Sequence, residues 1–324
     1  MIFPRGGRRP PAEGTAAPDG PAIGAVEDHR GREGGALVYP VYSRRSGGIS
    51  IGINLFPDRK VCSFDCPYCE VFPFKTDLQF TLETMEAALY SALVELGDRG
   101  KDIRDICFSG NGEPTMSPYF TEALRAAGAL RDKLVPGAKL VLISNGSGLL
   151  DPGTFGMLRD AADTPGTSPG ALGLHIWLKL DAGTEEWYHA MDRSDIPFSR
   201  LVSRIGDFAL SGAPFTVQTM ICRIRGAPPP AEEETAWVRL VTDLAGKAAE
   251  SGGRKPPPPG GAGGFFSAAA NSGLRAVQIY GKARPAPEDP AAQAVPAAAL
   301  EKRAKLLEEA LRRRGLTLPV EVYP

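Results

Sequence analysis

Along residues 174–181, "LHIWLKLD", apolar and other side chains alternate: Leu174, Ile176, Leu178 and Leu180 share one side, and His175, Trp177, Lys179 and Asp181 the other. A period of two is a strand with two different faces. Similar short strands are expected at 48–56, 105–110, 139–144, 215–221 and 275–281, with a terminal strand in "PVEVY". Between them the period lengthens to that of a helix. Over 81–97, Met85, Leu89, Ala92, Leu93 and Leu96 fall on one face behind a capping Thr81. A second helix starts at Ser117-Pro118, with Phe120, Leu124 and Ala127 on its buried stripe. Further helices are expected near 151–160, 197–210 and 232–246, the last carrying Trp237, Leu240, Val241 and Leu244. A final one carries Leu300, Ala304, Leu307 and Leu311 and closes at "RRRG".

Strands alternating with helices over about six units make an α/β protein with a parallel sheet. Periodicity alone leaves open whether that sheet is a partial barrel or an open doubly wound one. Three stretches interrupt the alternation. Residues 1–35 are rich in Gly, Pro, Ala and charge and read as a disordered tail ahead of a core domain at 36–324. A Pro/Gly-rich segment at 248–273 reads as a flexible insertion, and 162–173 as a shorter loop.

Composition narrows the class. A net charge of -1 over 324 residues argues against a protein coated by nucleic acid, and 43% apolar residues suffice for a large core. No run approaches the ~18 apolar residues of a membrane span, and no apolar segment follows the charged start as in a secretory signal. Five cysteines without an even, spaced framework fit the reducing cytoplasm.

Three of those five lie in "CSFDCPYC", as Cys62, Cys66 and Cys69. Thiolates are soft ligands for zinc and for iron-sulfur clusters. Structural zinc wants four closed ligands, and this loop offers three sulfurs. Three sulfurs can hold three irons of a 4Fe-4S cluster and leave the fourth iron open. The next strand ends in "FSGNGEPT", where Gly112 permits close backbone approach and Glu113 can pair with an ammonium.

C-x3-C-x2-C after the first strand of a β/α array, followed by Asn111-Gly112-Glu113 after the second, resembles the radical S-adenosylmethionine superfamily. With "ISNGS", "WLKLDAGTEEWYHAMDR", "VQTMI" and "VQIYGKARP" in order over roughly 38–320, the chain looks like the subgroup bordering wyosine-type tRNA-modifying enzymes. The resemblance implies a partial (β/α)6 TIM-like barrel with parallel strands. It implies a 4Fe-4S cluster on Cys62, Cys66 and Cys69, and S-adenosyl-L-methionine held by the open iron. It implies an oxidoreductase-type radical enzyme: one electron from a donor such as flavodoxin or ferredoxin breaks the sulfonium bond, and a 5′-deoxyadenosyl radical takes hydrogen from a substrate, a tRNA base or a small metabolite.

In this reading Tyr68 lies near the adenine, and Asn111, Gly112 and Glu113 receive the methionyl ammonium. Ser144, Asn145 and Gln218 are further cofactor contacts, and Lys179 and Asp181 are catalytic candidates facing the lumen. Each also has a structural reading: turn and cap for Ser144 and Asn145, core amide for Gln218, internal ion pair for Lys179 and Asp181. Gln278 and Tyr280 line the sixth strand, and Arg44-Arg45 is a candidate phosphate contact. Cys107 and Cys222 read as buried apolar residues, His175 and His189 as packing or surface residues. The alternatives are an iron-sulfur electron carrier and a zinc-stabilised binding module.

Overall fold

A computed structural model describes residues 36–71, 73–163, 170–251, 273–283, 286 and 292–324. The tail at 1–35 and most of the insertion at 248–273 lie outside the described residues, as does the middle of the loop at 162–173. The order is β1 (Val38–Ser43), β2 (Gly48–Asn54), α1 (Leu82–Asp98), β3 (Ile103–Gly110), α2 (Phe120–Leu134), β4 (Lys139–Ser144), α3 (Pro152–Ala161), β5 (Leu174–Lys179), α4 (Glu185–Met191), α5 (Phe198–Leu210), β6 (Phe215–Arg223), α6 (Ala231–Glu250), β7 (Leu274–Gly281), β8 (Gln293–Ala294), α7 (Ala297–Arg313) and β9 (Val320–Tyr323).

The strands lie in the order β1-β2-β3-β4-β5-β6-β7-β9, with β8 added beside β6. Pairings from β2 through β7 and on to β9 are parallel, whereas β1 runs antiparallel to β2 and β8 antiparallel to β6. This order removes the ambiguity left by periodicity. A doubly wound sheet reverses its strand order and carries helices on both faces. Right-handed crossovers between strands that follow one another in sequence put every helix on the same side. The sheet is therefore curled, and side chains of β2 and β7 meet round one internal cavity.

The two faces of each strand bear this out. Ile51, Ile53, Ile106, Phe108, Leu140, Leu142, Ile176, Leu178, Val217 and Ile279 join one core with Met85, Leu89, Leu93, Trp237 and Leu307 from the helices. The opposite set, including Ser50, Asn54, Cys107, Trp177, Lys179, Met220 and Tyr280, looks into the lumen.

Two elements carry no legible period. β1 contains Pro40, which weakens a strand assignment, and the structure places it on the sheet's edge, where a missing N–H is tolerated. α4 is too short to repeat, though Thr184 caps it by accepting a hydrogen bond from the Trp187 amide. The helix expected at Ser117-Pro118 begins at Phe120, after a single 3-10 turn at Pro114–Met116. The helix expected to stop near 246 continues to Glu250, with Ala248 buried. His175 and His189 are both exposed or half-exposed.

α6 comes very close to the loop after β5. A Cβ on Gly183 would lie 2.1 Å from the Trp237 backbone nitrogen. Neither backbone can yield easily, so Gly183→Ala should lose about 1–3 kcal/mol of stability by overpacking. Chemical denaturation measures this, and an unchanged midpoint would contradict the close approach.

Candidate functional site

The cysteine loop leaves the end of β2 and is stitched by backbone to the turn after β3. The Val61 amide donates to the Asn111 carbonyl at 3.2 Å, and the Glu113 amide donates to the Val61 carbonyl at 2.8 Å. Asn111 and Gly112 take positive φ values of 51° and 144° to present those groups. A Cβ on Gly112 would fall 1.8 Å from the Val61 oxygen, so only glycine allows the approach. Asn111 Nδ2 also donates to the Phe56 carbonyl at 3.2 Å.

Glu113 is almost fully buried. Its Oε1 accepts from Thr115 Oγ1 at 2.6 Å and Ser144 Oγ at 2.8 Å, and its Oε2 accepts from the Asn145 amide at 2.7 Å. Burial pushes its pKa up, and these hydrogen bonds pull against that shift. The carboxylate thus ties the ends of β3 and β4 together. Asn145 extends the tie to the cysteine loop, donating from Nδ2 to Ser63 Oγ at 3.0 Å and lying 3.6 Å from Cys62 Sγ.

Cys62, Cys66 and Cys69 are free and half-buried on this loop. Burial raises the Cys62 thiol to about 11 and drives Cys66 well above its usual range, where Asp192 adds to the shift. Cys66 Sγ lies 3.8 Å from Asp192 Oδ1 and packs among Tyr68, Met191, Met220 and Cys222. Cys69 faces the cavity. Asp192 has no signal in the sequence, because the short helix α4 that delivers it has no period. Among the described residues, no three His, Cys, Asp or Glu side chains gather as one metal ion would require. A four-iron cluster asks something different, one thiolate for each of three separate irons. Three soft donors on one loop beside the cavity suit that demand, and the raised thiol pKa values of Cys62 and Cys66 mean that a metal centre would displace protons to bind there.

The cavity encloses about 610 Å³ and runs from Tyr68, Cys69 and Asn111 past Trp177 and Lys179 to Arg45. Of the other residues singled out in the sequence, Gly112, Glu113, Ser144, Asn145 and Gln218 stand behind this wall. They form the scaffold around the loop and the lumen.

Asp181 is wholly buried and has three partners. Tyr68 donates its phenol hydrogen to Oδ2, Lys179 Nζ lies 2.8 Å from the same oxygen, and the Met220 amide donates to Oδ1 at 2.7 Å. Burial works against the Lys179 charge, but Asp181 and Tyr280 outweigh it and hold the pKa above the usual lysine value. The ammonium sits 4.8 Å from the centroids of both the Tyr68 and Tyr280 rings. Lys179 and Asp181 form an internal ion pair that anchors Tyr68, and of the two Lys179 reaches the cavity.

Gln218 is also fully buried. It accepts from Arg45 Nη1 at 3.1 Å and donates to Gln278 Oε1 at 2.6 Å. Cys107 lines the lumen beside Val141 and Trp177, and burial raises its thiol to about 12; Cys222 is buried beside Met191. Arg44 donates to the Pro324 carbonyl, while Arg45 turns inward.

No protein-family model matches the chain. A Helicobacter pylori protein (strain J99) named "UPF0026 protein" is 28% identical over 176 residues, 53% of this chain and 50% of its own length. Its counterpart in strain 26695, with the same name, is 32% identical over 117 residues, 35% of each chain. Streptococcus suis SuiB, solved bound to S-adenosylmethionine, superposes with a TM-score of 0.53 at 11% identity, covering 82% of this chain and 48% of SuiB. The matched region thus spans about half of the J99 protein and of SuiB. The fold is a curled, parallel-stranded partial barrel of the kind SuiB adopts, as the motif resemblance led one to expect.

Removing one partner from a buried ion pair strands the other. Asp181→Leu should cost about 3–5 kcal/mol, and Lys179→Met/Asp181→Leu should recover a large part of that loss. Denaturation of Asp181→Leu, Lys179→Met and the double variant tests this, and strictly additive single losses would refute the coupling.

Proposed function

We propose that the protein is a radical S-adenosylmethionine enzyme of the cytoplasm that takes hydrogen from a substrate held in the barrel lumen. The observation that carries this reading is the position of the cysteine loop. It lies beside the cavity, past the C-terminal end of β2, at the end of the parallel strands where β/α barrels place their chemistry. Among the described residues no helix is long and apolar enough to cross a membrane.

Cys62, Cys66 and Cys69 would hold a 4Fe-4S cluster. When bound, that cluster supplies the electron that splits S-adenosylmethionine into methionine and a 5′-deoxyadenosyl radical. The protein's part is placement and exclusion of water. The Val61–Asn111–Glu113 backbone stitch fixes where the loop enters the barrel. Asn145 and Ser63 orient its Cys62 end, and Asp181 fixes the Tyr68 ring over the cavity. Asn111 faces the mouth and is the candidate contact for the methionyl end of the nucleotide, while Gly112 lets the turn approach Val61 closely enough to put it there. Glu113 acts through Ser144 and Asn145 as a positioning residue. A small reduced iron-sulfur or flavin protein, of the ferredoxin or flavodoxin kind, is the electron donor.

The test is anaerobic reconstitution with iron and sulfide. Wild type should bind about four irons per chain, turn brown, and release 5′-deoxyadenosine when reduced with S-adenosylmethionine. Cys66→Ala should lose the product entirely while keeping a wild-type unfolding midpoint within about 1 kcal/mol. Binding of a single zinc in place of iron, or undiminished product from Cys66→Ala, would overturn the reading.

A further inference from the structure

We propose that Arg45 is the anchor for a small substrate carrying one carboxylate, bound at the inner end of the cavity. The assignment rests on the reading of the lumen as the reaction chamber. It adds the chemical class of the molecule held there.

Arg45 lies in the hairpin turn between β1 and β2, at the opposite end of β2 from the cysteine loop. Its guanidinium enters the lumen and rests against two aromatic rings, 5.6 Å from the Trp177 centroid and 5.1 Å from that of Tyr280. Stacking of this kind holds the planar group while leaving its edge open to hydrogen bonds.

A line of side chains fixes its orientation. The strand register sets Lys179 beside Gln218, Gln218 beside Gln278 and Gln278 beside Glu321 on the lumen face. Arg45 Nη1 donates to Gln218 Oε1. Gln218 Nε2 then donates to Gln278 Oε1, and Gln278 Nε2 donates to Glu321 Oε2 at 2.9 Å. Tyr323 OH donates to the same Glu321 oxygen at 2.9 Å. Each amide has its direction set by the one before, so the fork is preorganised before any ligand arrives.

The charges of the lining select the ligand. Lys179 is neutralised by Asp181 at 2.8 Å, whereas Arg44 is exposed, donates to the Pro324 carbonyl and keeps its charge in water, where it is screened. Asp105 is buried and hydrogen-bonded to Ser50, and Arg45 reaches it only through space. Among the described residues no carboxylate forms an ion pair with Arg45. The inner end therefore presents one guanidinium with unused donors, flanked by the hydroxyl-bearing Ser43 and Ser46. The fork can grip either a carboxylate or a phosphate, but a single part-buried positive charge balances only the former and would leave a phosphate dianion uncompensated inside the lumen. A lumen of about 610 Å³ has room for a small molecule at this end.

Calorimetric titration of the full chain tests this with benzoate, 3-phenylpropionate and hexanoate, each set against its neutral amide and against phenyl phosphate. At least one acid should bind, with its amide and phenyl phosphate at least ~10-fold weaker. Arg45→Lys, which keeps the charge and loses the fork, should weaken that acid by a similar factor of ~10. Gln218→Met, which keeps Arg45 and releases its orientation, should weaken it in the same direction and serves as the second variant if Arg45→Lys unfolds. No binding by any acid, equal binding of acid and amide, tighter binding of phenyl phosphate, or full affinity in a folded Arg45→Lys would each overturn the proposal. Because the titration needs no turnover, acid binding without 5′-deoxyadenosine release would sink the enzyme reading alone, and the reverse pattern would sink this one alone.

Discussion

A carboxylate buried beyond reach of water must be matched by charge and hydrogen bonds, and the arrangement of the lumen follows from how Asp181 is matched. Its oxygens collect Tyr68 from the cysteine loop, Lys179 from β5 and the Met220 amide from β6. Desolvation makes any alternative placement of these groups costly. The loop that carries the three cysteines is thereby fixed to the barrel wall at Tyr68, while the Val61 stitch fixes its entry. Cys62 and Cys66 lie between the two ties, and Cys69 follows directly on the second.

Glu113 shows how the same economy of buried polar groups redistributes roles. A carboxylate at a strand end suits recognition of an ammonium, but this one already accepts from Thr115, Ser144 and the Asn145 amide. Those bonds join two neighbouring strand ends and, through Asn145, reach the Cys62 end of the loop. Its oxygens are therefore occupied within the protein, and Asn111 is the residue of this turn that lines the cavity.

Cations and aromatic rings alternate down the lumen: Tyr68, Lys179, Tyr280, Arg45 and Trp177 are each within ring-contact range of the next. The column links the cysteine loop to the hairpin turn at the other end of the barrel. Lys179 meets its opposite charge inside the protein. Arg45 is balanced only at a distance, through two amides and Glu321, and that difference separates a structural cation from one able to hold a ligand.

Much of this was legible from residue order. Alternation in 174–181 assigned the inner and outer faces of β5 correctly, and helical spacing placed α1 with its Thr81 cap. Strict periods survive in these elements because each has one face against the core. The cysteine spacing and Asn111-Gly112-Glu113 picked out two segments that the fold joins through Val61, Asn111 and Glu113 beside the cavity. Tertiary structure decided what depends on contacts between distant segments. It chose a curled sheet over a flat one through strand order, and made Asp181 an anchor. It brought Asp192 to Cys66 and turned Arg45 inward onto Trp177, Tyr280 and Gln218. Local pattern records which face a residue takes, whereas the partner it meets there is set by register between strands far apart in sequence.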